Sequence, residues 1–314
     1  HGVVSTRFTD FVTWGEGGWG GYSIHASRTK FLPNGSAFCS THFHMCFNIY
    51  WSSGFSLMGL VLCWWIRKVS TNTQLANGVF YFFLMEFLQV IQYVFIASDL
   101  KSPVCETFIN QALTLAGFAH ICLQPFFLHY INESLLNVKH KDTPPAHVVK
   151  LDRTSAQYAV IKRLALLGGF LLFMRYPMSF VPGWNTMKGQ KSTEWLRGDS
   201  LCTYKTNVML HLGWSVPMAD PSYNIMGIGI HSFLMFAPFV TLSGWTSIVS
   251  KGMIVHGIIC YMTGPFFASM LSDNLQEQAS IWCLFSIAQL MITVFRVRGT
   301  LLANGAVREG RKSH

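Results

Sequence analysis

Apolar residues fill seven stretches of the chain, each close to the ~20 residues that a helix needs to cross the hydrocarbon core of a bilayer. The stretches are residues 44–66, 77–97, 107–131, 164–181, 224–246, 252–271 and 279–295. Pro125, Pro238 and Pro265 should kink three of them, because each proline leaves one carbonyl for neighbouring helices to bind. The pattern predicts an all-α integral membrane protein, with a seven-helix bundle over residues 44–298.

Two polar segments flank the predicted bundle. Residues 1–43 are rich in Gly and have little apolar periodicity, so they are predicted to form an extended arm. Residues 299–314 form a basic tail, and the loops on the side of that tail carry most of the Lys and Arg residues. By the positive-inside rule, the tail is expected in the cytoplasm, stroma or matrix, and the arm on the outer or lumenal side of a plasma or organelle membrane.

The composition supports a membrane protein. Hydrophobic residues make up 51% of the chain and charged residues only 12%, against about 25% charged residues in soluble proteins. The net charge of +9 does not indicate nucleic-acid binding, because the basic residues are scattered over short loops without a recognition motif. The expected partners are the lipid bilayer and other membrane-protein subunits, contacted through the arm and the loops, with no nucleic acid.

Polar side chains lie deep inside the second and third apolar stretches. Glu86 is near the middle of the second, and an ionisable residue at that depth indicates a functional site because it is costly to place there. Helical spacing puts Gln89 on the face of Glu86, and Gln124 one turn from His120, so these four residues are predicted to form a hydrogen-bonded midplane cluster. Such a cluster suits a proton relay, a metal site or axial ligation of a pigment or haem. It also suits simple hydrogen bonding between helices, which many buried polar residues in membranes provide.

Other histidines and cysteines are further candidates. His120, His231 and His256 are candidate ligands of a pigment or haem, with chlorophyll or carotenoid preferred to a metal ion as the cofactor. Taken singly, His231 and His256 also suit a hydrogen-bonded core or interfacial position. Cys105 and Cys202 both fall on the predicted outer side, where a disulfide could fix the loop before the fifth stretch in an oxidising compartment.

Missing motifs exclude several familiar functions. The seventh stretch contains no Lys, so a retinal Schiff base of the opsin kind has no nucleophile there. The stretches contain no HExxH, CxxC or GxSxG motif, which argues against familiar hydrolase and metalloprotease classes.

Six motifs occur in a fixed order along the chain: HMCFNIYWSSGFSLMGL, YFFLMEFLQVIQY, NQALTLAGFAHICLQPFFLHYI, LCTY, HLGWSVPM and LSDNLQEQASIWCLFSIAQL. In this order they resemble an uncharacterised family of polytopic membrane proteins of bacteria and algae, a domain of unknown function. The resemblance covers about residues 44–295, and the chain departs from the family pattern at Met45–Asn48 and at Leu275–Gln276. It implies that the family motif positions are Glu86, Gln89, His120, Gln124, Cys202, His211, Asp273, Glu277 and Trp282.

Two functional hypotheses follow. The first is a non-catalytic accessory or structural subunit of a larger membrane assembly, such as a photosynthetic complex, that can also ligate pigment; the arm and the abundant aromatic residues favour it. The alternative is a membrane-embedded enzyme or proton-coupled carrier built around a midplane site of Glu86 and His120. We prefer the subunit hypothesis at this stage and assign no catalytic residue.

Overall fold

The computed structural model describes residues 49–70, 72–136, 145–186, 194–224, 227–241 and 257–312. The predicted arm, residues 1–43, lies outside the described residues, and so does residue His256 with the rest of 242–256. Within these ranges the side chains at 145–154, 237–241, 300 and 303–312 are not described.

Most of the described chain is α-helical, as the apolar pattern predicts. The helices are α1 Ile49–Val69, α2 Thr73–Val94, α3 Phe108–Leu136, α4 Pro145–Met178, α5 Ile228–Thr241, α6 Gly257–Leu271 and α7 Leu275–Lys312. Among the described residues, five helical segments are long and apolar enough to cross a membrane, namely Ile49–Val69, Thr73–Val94, Phe108–Leu135, Ser155–Met178 and Leu275–Gly299. The helices α5 and α6 are shorter, and both border residues 242–256, which are not described.

Side-chain caps fix where several helices begin. Asn72 precedes α2, and its side-chain oxygen accepts a hydrogen bond from the Leu75 backbone N–H at 2.9 Å. Asn274 precedes α7, and its side-chain oxygen accepts from the Gln276 N–H, also at 2.9 Å. These contacts supply partners to N–H groups that the first turn of a helix leaves free.

A proline in α3 is compensated by a histidine from another helix. Pro125 has no N–H, so the carbonyl of Ile121, four residues earlier, loses its helical partner. His231 of α5 occupies this position, with its Nε2 2.8 Å from the Ile121 carbonyl oxygen. A carbonyl only accepts hydrogen bonds, so the imidazole donates through Nε2.

The reciprocal contact occurs in α5. Pro238 frees the carbonyl of Leu234, and His129 of α3 places its Nε2 2.6 Å from that oxygen. Each of the two helices therefore provides a histidine that donates a hydrogen bond to the carbonyl freed by proline in the other. The carbonyls that the prolines of α3 and α5 leave without helical partners therefore receive hydrogen bonds from side chains of neighbouring helices, as predicted.

Small residues allow the helices to approach closely at two places. A Cβ atom at Gly169 would lie 2.2 Å from the carbonyl oxygen of Cys122, so α4 can cross α3 there only with glycine. A Cβ atom at Gly264 would lie 2.4 Å from Nε1 of Trp282, which brings α6 against α7. Gly264 lies in a widened turn of α6, Met262–Phe266, which also contains Pro265.

Residues 194–224, which we call the hairpin loop, enter the bundle rather than lying on its surface. Its strands β1 (Cys202–Lys205) and β2 (Leu212–Ser215) are antiparallel, with Thr203 opposite Trp214. Trp214 is 1% exposed and shares a core with residues of α2, α3 and α4, including Met85, Phe118 and Leu172. The hairpin loop therefore fills one end of the bundle, which we call the hairpin end; the opposite end, towards the end of α7, is the tail end.

Candidate functional site

Glu86 is the most unusual polar residue in the helices. It lies in α2 with its side chain 0% exposed, and neither carboxylate oxygen has a hydrogen-bond partner among the described residues. Buried carboxylates are normally paired or hydrogen-bonded, because an unpartnered charge away from water costs several kcal/mol or more. A buried carboxyl without partners therefore requires a functional explanation.

Gln89 lies one turn from Glu86 on α2 and is also incompletely paired. Its Oε1 accepts a hydrogen bond from the Ser52 hydroxyl of α1 at 3.4 Å. Its Nε2 is buried and has no partner within the described chain. The unused donor Nε2 of Gln89 is therefore about one helical turn from the carboxyl oxygens of Glu86.

His120 of α3 is held against α2 by a reciprocal contact with Tyr81. His120 Nε2 donates to the backbone carbonyl of Tyr81 at 2.9 Å, and the Tyr81 hydroxyl donates to the backbone carbonyl of His120. The two rings are stacked, with centroids 3.8 Å apart. The second imidazole nitrogen, Nδ1, is buried without a partner among the described atoms.

The predicted four-residue cluster takes a different form in the structure. None of the described hydrogen bonds joins Glu86, Gln89, His120 and Gln124 to one another. His120 binds α2 at Tyr81, five residues before Glu86, which is about 7.5 Å along a helix axis. Helical spacing gives the direction in which a side chain points, but it does not give the height at which two helices are packed.

Glu86, Gln89 and His120 share one property, which is a buried polar atom without a partner, and we call them the unpaired site. The buried donor or acceptor atoms are Oε1 and Oε2 of Glu86, Nε2 of Gln89 and Nδ1 of His120. Leaving each such atom unpaired costs about 1–3 kcal/mol. Because stability alone selects against this arrangement, the unpaired site is the strongest candidate functional site in the described chain.

A line of polar groups leads from Glu86 towards the hairpin end. Tyr93 is seven residues after Glu86 on the same face of α2. The Tyr93 hydroxyl is 2.5 Å from Nδ1 of His211 in the hairpin loop. We call Glu86, Tyr93 and His211 the polar line.

Glu277 fixes the position of His211. Its Oε1 accepts hydrogen bonds from the backbone N–H groups of Met209 and His211, both at 3.1 Å, and from the Thr206 hydroxyl. Its Oε2 accepts from the Ser272 hydroxyl at 2.5 Å. Glu277 also lies in the first turn of α7, where the helix dipole favours negative charge. This carboxylate is fully satisfied, in contrast to that of Glu86.

Burial keeps His211 neutral. It lowers the pKa of His211 to about 3, although a hydrogen bond with the Ser280 backbone opposes this shift. A neutral imidazole can accept from Tyr93 at Nδ1 and donate through its other nitrogen. His211 therefore links the hairpin loop to α2 through its hydrogen bond with Tyr93.

An ion-pair network joins α4 to the hairpin loop. Arg175 of α4 is 0% exposed and donates to both carboxylate oxygens of Glu194 at 2.7 Å, and to the Ala219 carbonyl through Nε and Nη2. Arg197 donates to Asp220. Burial alone would raise the pKa of Asp220, but hydrogen bonds from Thr186 and Arg197 outweigh it and lower the pKa.

Cys105 and Cys202 are joined by a disulfide bond in the structure. Asn110 of α3 reinforces this junction, because its amide donates to the Thr203 carbonyl at 2.8 Å and its oxygen accepts from the Thr203 N–H at 3.0 Å. The two contacts fix β1 to the start of α3. The disulfide thus holds the hairpin loop at the bundle.

A cavity of about 30 Å³ lies on the tail side of the unpaired site, between α2, α3, α5, α6 and α7. Its polar lining consists of Gln124, Asn132, Ser286, Gln289 and Thr293. Aromatic side chains, including Phe82 and Trp282, line the remainder together with aliphatic residues and Cys260. The cavity has room for about two water molecules by volume.

Comparison with known sequences places most of the chain in one protein family. A family model described as Family of unknown function (DUF5765) matches residues 51–301. The chain belongs to this family. The match confirms the resemblance to an uncharacterised family, and it includes the unpaired site, the hairpin loop and the cavity. No curated protein and no solved structure matches the chain.

The remaining predicted positions of this DUF5765 protein have separate surroundings. His231 uses Nε2 on the Ile121 carbonyl, and His256 lies outside the described residues. Trp282 is 5% exposed and packs against Trp195 with ring centroids 5.6 Å apart, whereas Asp273 is exposed. In the part of the DUF5765 chain that the structure describes, no three His, Cys, Asp or Glu side chains are grouped in a way that could hold a metal ion.

Sequence reasoning missed two residues that organise the DUF5765 site. Tyr81 was not distinguished from other aromatic residues, although it holds His120 through both its ring and its hydroxyl. Arg175 was not recognised as a site residue, although a charge inside an apolar stretch is the same signal that identified Glu86. The partner of Arg175, Glu194, is 19 residues away in a loop, where no periodic pattern reveals it.

Proposed function

We propose that this DUF5765 protein is a membrane-embedded, proton-coupled carrier in which Glu86 binds and releases the proton. The observation that carries the proposal is the buried carboxyl of Glu86, which has no partner among the described residues, one helical turn from the unused donor of Gln89. Intramembrane carboxylates that face the bundle interior commonly mark proton or ion pathways. The proposal also includes the seven-helix bundle, with the arm on the outer side and the tail inside.

The energetic argument starts from the cost of an isolated charge. An ionised Glu86 with no partner would be far less stable than the neutral acid, so the carboxyl keeps its proton in this arrangement. Release of the proton requires that water, a cation or a polar ligand reach the carboxylate. Proton occupancy and ligand occupancy of the unpaired site are then mutually dependent, which is what proton coupling requires.

The test compares two Glu→Gln variants in reconstituted liposomes. Glu86→Gln keeps the size of the side chain but cannot exchange a proton, and Glu106→Gln makes the same change at an exposed position. Potassium-loaded vesicles with valinomycin and an internal pH dye report proton uptake driven by the membrane potential. We expect Glu86→Gln to slow uptake by about tenfold or more, because a general acid–base group is lost. Equal uptake by Glu86→Gln and the unmodified protein would refute the proposal.

The accessory-subunit hypothesis is a second proposal, supported by the surface of α1. The membrane-crossing window of α1 is only 28% buried, and its exposed side chains include Tyr50 at 81% and Trp64 at 60%. Such a surface suits a neighbouring subunit as well as lipid. Pigment ligation gains no support from His120 and His231, whose Nε2 atoms are engaged by backbone carbonyls.

The two proposals differ in what removal of residues 1–43 should do. A subunit held by its arm should leave its assembly, so the native mass measured after gentle extraction should fall. A carrier should keep its proton uptake in liposomes after the same deletion. Retention of the assembly by the shortened chain would remove the main support of the subunit hypothesis.

A further inference from the structure

We infer that the cavity lined by Gln124, Asn132 and Thr293 is the hydrated path by which protons reach Glu86 from the tail end. This inference rests on the proposed function, because it assigns an access route to the proton site. It states that Glu86 communicates with one side of the membrane through the cavity, while the hairpin loop closes the other side.

The first argument is the position of the cavity relative to Glu86. Phe82 lines the cavity and precedes Glu86 by one helical turn, about 6 Å along the axis of α2. On α7, Ser286 lines the cavity, and Cys283, one turn earlier, shares a buried cluster with Met85, the neighbour of Glu86 on α2. The cavity therefore begins about one turn from Glu86 along α2.

The second argument is the chemistry of the lining. Asn132 is 4% exposed, and its Nδ2 has no partner among the described atoms although it borders the cavity. A buried amide donor facing a polar cavity is a site at which a small hydrogen-bonding molecule is stabilised. None of the described lining residues is charged, so the favoured occupant is neutral, and the volume of about 30 Å³ fits water.

The third argument is the direction in which the polar lining runs. Gln124 and Asn132 are eight residues apart on α3, and Ser286 and Thr293 are seven apart on α7, so both pairs lie on one helical face. Both helices run from the hairpin loop towards the tail end, as shown by the contacts of Asn110 and Glu277 with that loop. The polar lining therefore extends from the level of Phe82 towards the tail end.

The hairpin loop closes the opposite direction. Trp214 is 1% exposed and donates from its indole nitrogen to the Gln92 side chain at 3.0 Å, one turn beyond Gln89 on α2. The disulfide between Cys105 and Cys202 and the hydrogen bonds of Glu277 hold the hairpin loop in place. A bundle that is closed at the hairpin end and hydrated from the tail end has the geometry that alternating access requires.

A natural cysteine makes the inference testable without a reporter mutation. Cys260 lines the cavity, whereas Cys122, which is also buried and likewise outside the disulfide, does not. Thiols react only where water and reagent reach them. We expect a small neutral methylthiosulfonate, applied to the full-length protein in detergent, to modify Cys260 about tenfold faster than Cys122, because access controls thiol reactivity. Peptide mass spectrometry measures both sites in one sample, and Cys260→Ser is the control for assignment.

Two variants that narrow the cavity extend the test. Asn132→Leu removes the unpaired donor and fills the lining, and Thr293→Leu narrows the tail side; either should lower Cys260 modification to the rate of Cys122 and slow proton uptake. Modification of Cys260 and Cys122 at equal rates in the unmodified protein would overturn the inference, as would unchanged Cys260 modification in both variants. Failure of the carrier proposal gives a different result, because Cys260 would still be modified rapidly while Glu86→Gln kept full proton uptake.

Discussion

Buried carboxylates have hydrogen-bond partners at the hairpin end of the bundle, but the buried carboxyl at its midpoint has none among the described residues. Glu277 accepts four hydrogen bonds and Glu194 receives a two-pronged contact from Arg175. Glu86 is as deeply buried and has no described hydrogen-bond partner at either oxygen. Satisfied carboxylates hold the fold together, whereas an unsatisfied one lowers stability and is retained for another reason.

The comparison also separates two uses of histidine. His129 and His231 donate to carbonyls that prolines have freed, so they repair the backbone of α3 and α5. His120 donates instead through Nε2 to the Tyr81 carbonyl of α2, a helix that contains no proline, so it links α3 to α2 and repairs no backbone. Residue type alone does not distinguish these roles, since all three are single histidines in apolar helices.

The largest effect should come from breaking the ion pair at the hairpin end. Arg175→Leu leaves the Glu194 carboxylate buried without its guanidinium, which should lower the free energy of unfolding by about 3–5 kcal/mol. Thermal unfolding in detergent measures the loss, and Arg163→Leu, at an exposed position of the same helix, is the matched control. Equal midpoints for the two variants would show that the network does not hold the hairpin loop.

A smaller effect of opposite sign is expected at the unpaired site. Glu86→Met replaces the unpartnered carboxyl with an apolar side chain of similar length, which should raise the free energy of unfolding by about 1–3 kcal/mol while abolishing proton uptake. The same thermal assay and the liposome assay give the two values. Destabilisation by Glu86→Met would mean that the carboxyl has a structural partner, and the contrast with Glu277 would disappear.

Near neutral pH the smallest effect should come from His211, which changes how stability depends on pH under acidic conditions. Its pKa is about 3 in the folded protein, below the ordinary value near 6.5, so the unfolded chain binds the extra proton first as the pH falls. The stabilising contribution is complete above about pH 6.5 and is lost towards pH 3, by at most about 1.4 kcal/mol for each pH unit. His211→Asn should flatten this part of the stability curve. Parallel curves for the variant and the parent protein, measured from about pH 5 to pH 7.5, would contradict the assignment.

Much of the architecture could be predicted from the sequence because it depends on local patterns. Apolar periodicity predicts the helical class, and in the part of the chain that the structure describes five helices are long and apolar enough to cross a membrane. The prolines predict carbonyls in need of partners, but not that His231 and His129 would supply them. Family membership could be predicted from the motifs, since these are continuous in sequence.

The candidate site was predictable only in part, for a geometrical reason. The depth of Glu86 in an apolar stretch identifies it from sequence, and Gln89 follows from helical spacing. The level at which α2 and α3 pack does not follow from spacing, and it places His120 beside Tyr81. The cavity was not predicted, because its lining comes from five helices that are distant in sequence.

The polar residues that are costly to bury can be identified from the sequence: a lone carboxyl, several amides and single histidines inside apolar helices. That cost depends on residue type and on the length of the surrounding apolar run. Whether each of these residues finds a hydrogen-bond partner depends on the tertiary structure. Glu277 meets its donors across the hairpin loop, and Glu86 meets none among the described residues. Hydrogen bonds between helices depend on packing height and loop path, which are properties of the whole bundle and of no single segment.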